Sequence, residues 1–419
     1  MKKYRSLKSF HYEYANKPDQ YDKIVNFRIT NGLSIHTNLL MSPFENEFRL
    51  NKTFEIFYLP IPQISLLEEE IYKLSSEIKY KMANLPRIAS DQIFYSNLID
   101  ELQSTNDIEG VTSSKAEIRT AIDIELGINS SKNPRFYGLV ELYMNFQKDK
   151  YHSIKEIEDF RKIWDKLVSK EVDDNDQLKD DEMFRSEGEN ILSGTGEIIH
   201  RGDYTQEQIK KDLFTLVREM NNEDIPSLPK CFIAHYYYEY IHPFYDGNGR
   251  TGRFIACSYL SKKLDYMSAI TFSYSVSQNK DLYYKSFVEM ANKYNYGEAT
   301  CFIINMMNIL IKGQEYIIGR LDKGKRLLNK ADDLIKDALG GNNESDEAKI
   351  LFILCQKSIF GKYLYPITDQ YIRRLLDTSN YMFKKNMDNL EIHGLVKVIR
   401  KRPKIHNLST LFKEKLFFE

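Results

Sequence analysis

The run Gly247-Asn248-Gly249 limits the folding of this chain more than any other feature. The stretch Pro229–Tyr240 before it reads as an apolar helix, and Arg253–Leu264 after it reads as another. The run between them must therefore be a tight helix-to-helix loop. Gly and Asn take positive φ at little cost, so such a loop can turn several backbone N–H groups toward one point. That arrangement is an anion nest, and the N-terminus of the following helix adds its dipole to it. Arg250 and Arg253 stand three apart, with Thr251 and Gly252 between them, and share a helix face. Asp246, just before the nest, can share a Mg²⁺ with bound phosphates. His242, where the preceding helix ends, can take a proton from an incoming hydroxyl. Singly these are a turn, a loop acid and two surface arginines. Together they fill twelve consecutive residues with one polyphosphate site.

The segment His242-Pro-Phe-Tyr-Asp-Gly-Asn-Gly-Arg-Thr-Gly-Arg253 resembles the Fic signature, His-x-Phe-x-(Asp/Glu)-Gly-Asn-Gly-Arg-x-x-Arg, at every fixed position. Ala234-His235 and Ile241 resemble the lead-in helix of that family. The resemblance extends over roughly residues 64–310. It implies a catalytic base at His242 and a Mg²⁺ ligand at Asp246. It implies an α- and β-phosphate nest at Gly247, Asn248 and Gly249, clamped by Arg250, with Arg253 on the γ-phosphate of ATP. Phe244 would be a buried anchor. Residues Ser193, Gly196, Ile198 and His200 lie in a hairpin-like segment similar to the flap that aligns a target strand. Tyr283, Tyr284 and Asn292 resemble positions near the nucleotide. Related Doc kinases usually carry Lys where this chain has Gly249. Glycine there implies attack on the α-phosphorus with pyrophosphate leaving.

A second motif precedes the first. Thr105-x-x-x-Glu109-Gly110 resembles the (Ser/Thr)-x-x-x-Glu-(Gly/Asn) inhibitory motif of Fic proteins that carry an N-terminal inhibitory helix. A negative charge at a helix C-terminus opposes the dipole and needs a cationic partner. Arg253 is the expected one, and an Arg253 so paired cannot hold a γ-phosphate.

The expected fold is mainly α-helical: a Fic-type core with a β-hairpin flap, then a winged helix-turn-helix. The 419 residues divide into an N-terminal extension (1–63), a helical region with the inhibitory helix (64–150), a catalytic core (151–312), a helix and linker (313–343) and a winged helix domain (344–419). Helices are expected from Ser90 or Asp91, from Lys115 after the capping box Ser114–Glu117, over Ile154–Leu167 and over Gly297–Leu310. Patches at Ile35–Leu40 and Phe54–Leu59 read as short strands or turns.

Between Lys357 and Lys404 eleven Lys/Arg face four Asp/Glu, with Lys384 and Lys385 on the third helix of the last domain and Lys397, Arg400, Lys401, Arg402 and Lys404 on its β-ribbon. That excess suits DNA phosphates, or a protein-docking face. Over the whole chain 59 Lys/Arg balance 60 Asp/Glu, so global charge points to neither nucleic acid nor a membrane. The four cysteines are scattered, which argues against a disulfide framework or a zinc site. The basic N-terminus lacks an apolar signal segment, and the run Cys301–Ile311 is too short to span a bilayer, so a cytoplasmic protein is expected. The whole pattern implies a protein adenylyltransferase using ATP and Mg²⁺ on a Ser, Thr or Tyr hydroxyl of a target protein and of itself. AMP removal and a DNA-binding regulator with the Fic core as nucleotide sensor are the alternatives, and a homo-oligomer is open.

Overall fold

A computed structural model of the chain describes residues 4–418 except 46, 129–133, 189, 193–197, 204 and 362–366. In chain order the first elements are α1 (Leu7–Glu13), α2 (Pro18–Thr30), β1 (Ile35–Met41), β2 (Phe44–Glu45), β3 (Phe48–Arg49) and β4 (Phe54–Tyr58). Then come α3 (Pro62–Ala83), α4 (Arg87–Ile108), α5 (Lys115–Glu125), α6 (Tyr137–Met144) and α7 (Glu158–Leu167). Strands β5 (Asn190–Leu192) and β6 (Ile198–Arg201) lead to α8 (Gln206–Met220), α9 (Ser227–Ile241), α10 (Asn248–Lys263), α11 (Tyr266–Ala269), α12 (Phe272–Gln278) and α13 (Lys280–Met290). The long α14 (Thr300–Ala338) precedes α15 (Asp346–Phe360), α16 (Asp369–Leu375), α17 (Asn380–Ile392), β7 (Val396–Lys401), β8 (Lys404–Leu408) and α18 (Thr410–Phe417). The fold is mainly helical, and each described sheet is an antiparallel pair: β1–β4, β2–β3, β5–β6 and β7–β8.

The centre of the molecule is α9. Thirteen of its fifteen residues are buried, from Leu228 through Ile241 with Glu239 the exception after Ser227. A helix that is apolar all round belongs inside a core. It packs against α10 and α8. Helix α14 crosses behind them against α3 and α12, burying Phe302, Ile303, Met306, Met307, Leu310 and Ile317.

Several helix boundaries differ from the sequence expectation. Helix α10 begins at Asn248, not Arg253, because only Gly247 of the Gly-Asn-Gly run takes positive φ and caps the helix, leaving Asn248 and Gly249 in its first turn. Helix α4 begins at Arg87, directly after Pro86, because Ile88 and Ala89 are buried rather than left in a loop. Helix α7 begins at Glu158, not near Ile154. The Asp159 carboxylate accepts the N–H groups of Lys155 and Glu156, holding that turn out of the helix. Helix α14 continues to Ala338 instead of ending near Leu310. Its Gly313 and Gly324 look like breakers, but a Cβ at 313 would stand 2.5 Å from Thr271 Oγ1, and one at 324 would stand 2.1 Å from the Phe360 ring. The packing needs their small size, which outweighs about 1 kcal/mol of lost helix propensity for each glycine.

Helices α15, α16 and α17 and the β7–β8 pair share a second core that also takes in Ile88, Ala331 and Ile335. The C-terminal unit therefore sits on α4 and α14. Gln356 of α15 accepts the N–H of Ala89. In the middle of α4 the buried Glu101 carboxylate accepts the N–H groups of Ser273 and Tyr274 at the start of α12. Helix α4 is thus fixed along its length before it delivers its last residues to the centre. Among the described residues no helix is long and apolar enough to cross a membrane.

Candidate active site

Helix α9 ends where His242 turns left-handed, at φ 54° and ψ 64°. Glycine usually fills that conformation, so a histidine there must be held in place. Its N–H donates to Tyr238 O at 3.0 Å. Its carbonyl accepts from Arg185 Nε at 2.6 Å. Arg185 is fully buried and also donates to Ile241 O (3.1 Å), Asp203 O (2.6 Å) and Glu187 O. One guanidinium so gathers the carbonyls around His242. Burial, with the positive Arg185 beside it, pushes the imidazole down to about 3, which leaves it neutral at pH 7. Its Nδ1 faces the Glu239 carboxyl at 3.9 Å, beyond hydrogen-bond distance.

The loop after His242 is closed by its own side chains. Asn248 accepts from Phe244 N at 2.9 Å and donates to Phe244 O at 2.6 Å. Phe244 stacks on Trp164 at 4.7 Å, and Trp164 Nε1 donates to Asp246 O at 2.8 Å. Gly247 takes φ 79°, and Thr251 N bonds Gly247 O as α10 begins. Asp246 accepts the Gly247 N–H through Oδ1 and Arg250 through Oδ2 at 3.2 Å. Arg250 is buried, and its other nitrogen meets Glu171 Oε2 at 3.2 Å. Burial pushes Glu171 up to about 7, against the opposing pull of Arg250.

Arg253 is buried at the far side of the same turn. Its Nη1 pairs with Glu109 Oε1 at 2.8 Å. Its Nε donates to Thr105 Oγ1 at 2.9 Å and its Nη2 to Thr105 O at 3.0 Å. Thr105 lies in the last turn of α4 and Glu109 caps it. Gly110 follows at φ 73°, and the Val111 N–H returns to Asn106 O, closing the helix end. The Glu109 carboxylate also leans over the turn itself: a Cβ on Gly249 would stand 2.2 Å from Glu109 Oε1. The chain thus places its own anion beside the glycine turn and the N-terminus of α10.

The structure puts Tyr283 and Tyr284 beside this group. The Tyr283 hydroxyl bonds His235 Nε2 at 2.8 Å, and the Tyr284 hydroxyl donates to Ile108 O at 3.3 Å. Asn292 sits in the turn after α13, where its side-chain oxygen accepts the N–H of Tyr294. Ile198 and His200 lie on β6, paired with Leu192 and Ile191 of β5. Ser193 and Gly196 fall outside the described residues.

Sequence reasoning missed Glu239, Glu171, Trp164 and Arg185. Glu239 stands behind Arg253, and a Cβ on Gly252 would lie 2.3 Å from its Oε1. Burial, and then the neighbouring Glu109, push it up to about 8. Its signal was available: a lone acid within Tyr236-Tyr237-Tyr238-Glu239-Tyr240, on a helix otherwise suited to a core.

Residues 155–260 match the Fic/DOC family, whose domains are typically transferases acting on proteins. The fold of a Fic family protein from Desulfovibrio desulfuricans G20 is similar, with a TM-score of 0.51 at 19% identity over 84% of this chain and 98% of that one. A Fic-domain signaling protein from Bacteroides thetaiotaomicron matches at a TM-score of 0.42 and 18% identity over 62% of this chain and 97% of that one. Fic-1 from C. elegans matches at a TM-score of 0.41 and 18% identity over 62% and 74%.

Proposed function

We propose that the chain transfers AMP from ATP to a hydroxyl of a protein, and that Glu109 holds the site inhibited. The observation that supports this best is the seat of Glu109. A carboxylate held between a buried arginine and a glycine turn at a helix N-terminus occupies the place of an anionic substrate. With Glu109 withdrawn, the turn Gly247–Gly249 receives the α- and β-phosphates, Arg250 clamps them and Arg253 takes the γ-phosphate. The His242 imidazole removes the proton as the target oxygen bonds the α-phosphorus, and the bond to pyrophosphate breaks.

The donor set suits magnesium only when shared with phosphates. Asp246 offers one partly exposed carboxylate, and no group of three acidic, His or Cys residues is arranged to hold a metal ion among the described residues. Bound there, Mg²⁺ would neutralise phosphate charge. The β5–β6 pair is the flap in this reading, and its edge aligns an extended target segment by strand addition. Incubation with ATP and Mg²⁺ followed by intact-mass analysis tests the reaction. The expected result is an added AMP, labelled from α-³²P but not γ-³²P ATP. A chain that gains phosphate, or no mass with or without Glu109, defeats it.

The C-terminal unit is proposed to be a winged helix that contacts DNA phosphates. Helix α17 buries Phe383, Met387 and Leu390 and exposes Lys384 and Lys385, while β7 exposes Lys397, Arg400 and Lys401. The full chain is the right species to test, because this unit shares its core with α4 and α14. Affinity for a DNA duplex is expected to fall steeply between low and physiological salt. Replacing Lys384, Lys385 and Arg400 with Ala should lower the log–log salt slope by about 1 per lost phosphate contact. A salt-independent or absent interaction in a gel-shift titration favours protein docking instead.

A further inference from the structure

The N-terminal extension carries Arg49, whose guanidinium reaches into the catalytic centre. Its Nε donates to Arg201 O at 2.8 Å, the last carbonyl of β6. Its Nη2 donates to Tyr240 O at 2.9 Å, two residues before His242. Its Nη1 pairs with Asp203 Oδ1 at 2.7 Å, and its plane lies 4.1 Å from the centre of the Tyr240 ring. The Asp203 side chain is wholly buried, and the Asp203 carbonyl is the one that Arg185 holds together with His242 O. Arg49 and Arg185 therefore grip the segment 201–203 from two sides.

That segment has no slack. Its N–H at Asp203 donates to Ile241 O at 3.0 Å. A Cβ on Gly202 would stand 2.2 Å from Arg185 Nη2 and 3.0 Å from the Cβ of His242. Gly202, the residue directly after β6, thus leaves no room for a side chain between that strand's end and His242, the residue that would take the target's proton. A three-residue segment sets their spacing.

We infer that Arg49 is a positioning residue that fixes strand β6 relative to His242, so that the extension completes the target-binding side of the site. This deepens the transferase reading and rests on it for its catalytic consequence, while its structural consequence stands alone. The guanidinium serves its three acceptors from three separate nitrogens; a lysine must donate all its N–H groups from one nitrogen and cannot span them. Lysine keeps Asp203 paired, so Arg49→Lys is the informative variant.

Two measurements on the full chain test the assignment. The first is hydrogen–deuterium exchange of Arg49→Lys against wild type. The expected result is at least tenfold faster exchange confined to residues 198–203 and 240–244, with α3 and α14 unchanged. Unchanged exchange in those segments overturns the assignment whatever the protein catalyses, and uniform acceleration reduces Arg49 to general stability. The second uses Glu109→Gly as background and compares AMP transfer onto the chain's own hydroxyls with AMP released to water, which needs no aligned target. Arg49→Lys should lower self-modification at least tenfold and water-directed release less than threefold. Equal losses in both overturn the positioning role. If the Glu109→Gly chain transfers no AMP at all, the transferase reading fails and the exchange result still decides the role of Arg49.

Discussion

Replacing Glu109 with Gly is expected to raise AMP transfer and self-modification by about 100-fold, with ATP affinity changed far less than turnover. The reason is positional. Arg253 is committed to Glu109 and Thr105, so ATP entering the site finds no γ-phosphate partner and lies out of line for attack. Misplacement of a reacting group by about 1 Å costs about 100-fold in rate. Glycine at a helix C-cap is well tolerated, so the backbone of α4 survives the change. Arg253 loses one buried partner and keeps Thr105, at a stability cost below about 3 kcal/mol because Glu109 is partly open to solvent. Thermal unfolding should show that loss without nucleotide and its recovery with ATP. Arg253→Ala should be inactive, and the double variant should match it. A folded but inactive Glu109→Gly would instead assign Glu109 to catalysis and favour AMP removal.

The second large effect is expected at His242. Alanine there should lower transfer by about 10²–10⁴, the usual contribution of a general base, while ATP binding by calorimetry stays nearly unchanged. The base acts on the target hydroxyl and does not touch the nucleotide in the proposed reaction. Transfer near the wild-type rate would remove His242 from the mechanism. The neutral imidazole also predicts the pH profile. Because burial lowers His242 to about 3, its protonation does not limit the rate above about pH 5. His235, also buried, is lowered to about 3. Both take up a proton on unfolding below about 6.5, so these two side chains make the fold less stable as pH falls from there toward 3.

Where the sequence was informative, its patterns were local. The turn at Gly247 needs no partner to be recognised, since positive φ and a flanking helix are properties of neighbouring residues. Thr105 and Glu109 were found through their resemblance to a short family motif, to which the uncompensated charge at a helix end added a physical reason for a cationic partner. What stayed hidden depends on residues distant in sequence. Arg49 reaches Tyr240 across 191 positions and Asp203 across 154. Glu101 caps α12 across 172. No periodicity records such pairings. The length of α14 was hidden for a related reason: Gly313 and Gly324 weaken the local helix, and the packing that requires them belongs to α12 and α15.

The space above Gly249 has a consequence for how such chains change over time. Glu109 Oε1 and a Cβ at 249 would lie 2.2 Å apart, so a side chain at one position and an inward carboxylate at the other exclude each other. Glycine at 249 leaves room for the Glu109 carboxylate and, in the proposed function, for a phosphate in its place. A lineage that acquires a side chain at 249 loses the restraint in the same step, before any change in α4. A lineage that keeps glycine can gain or lose restraint through the single codon at 109. The two positions thus form one heritable unit, although they lie on different helices.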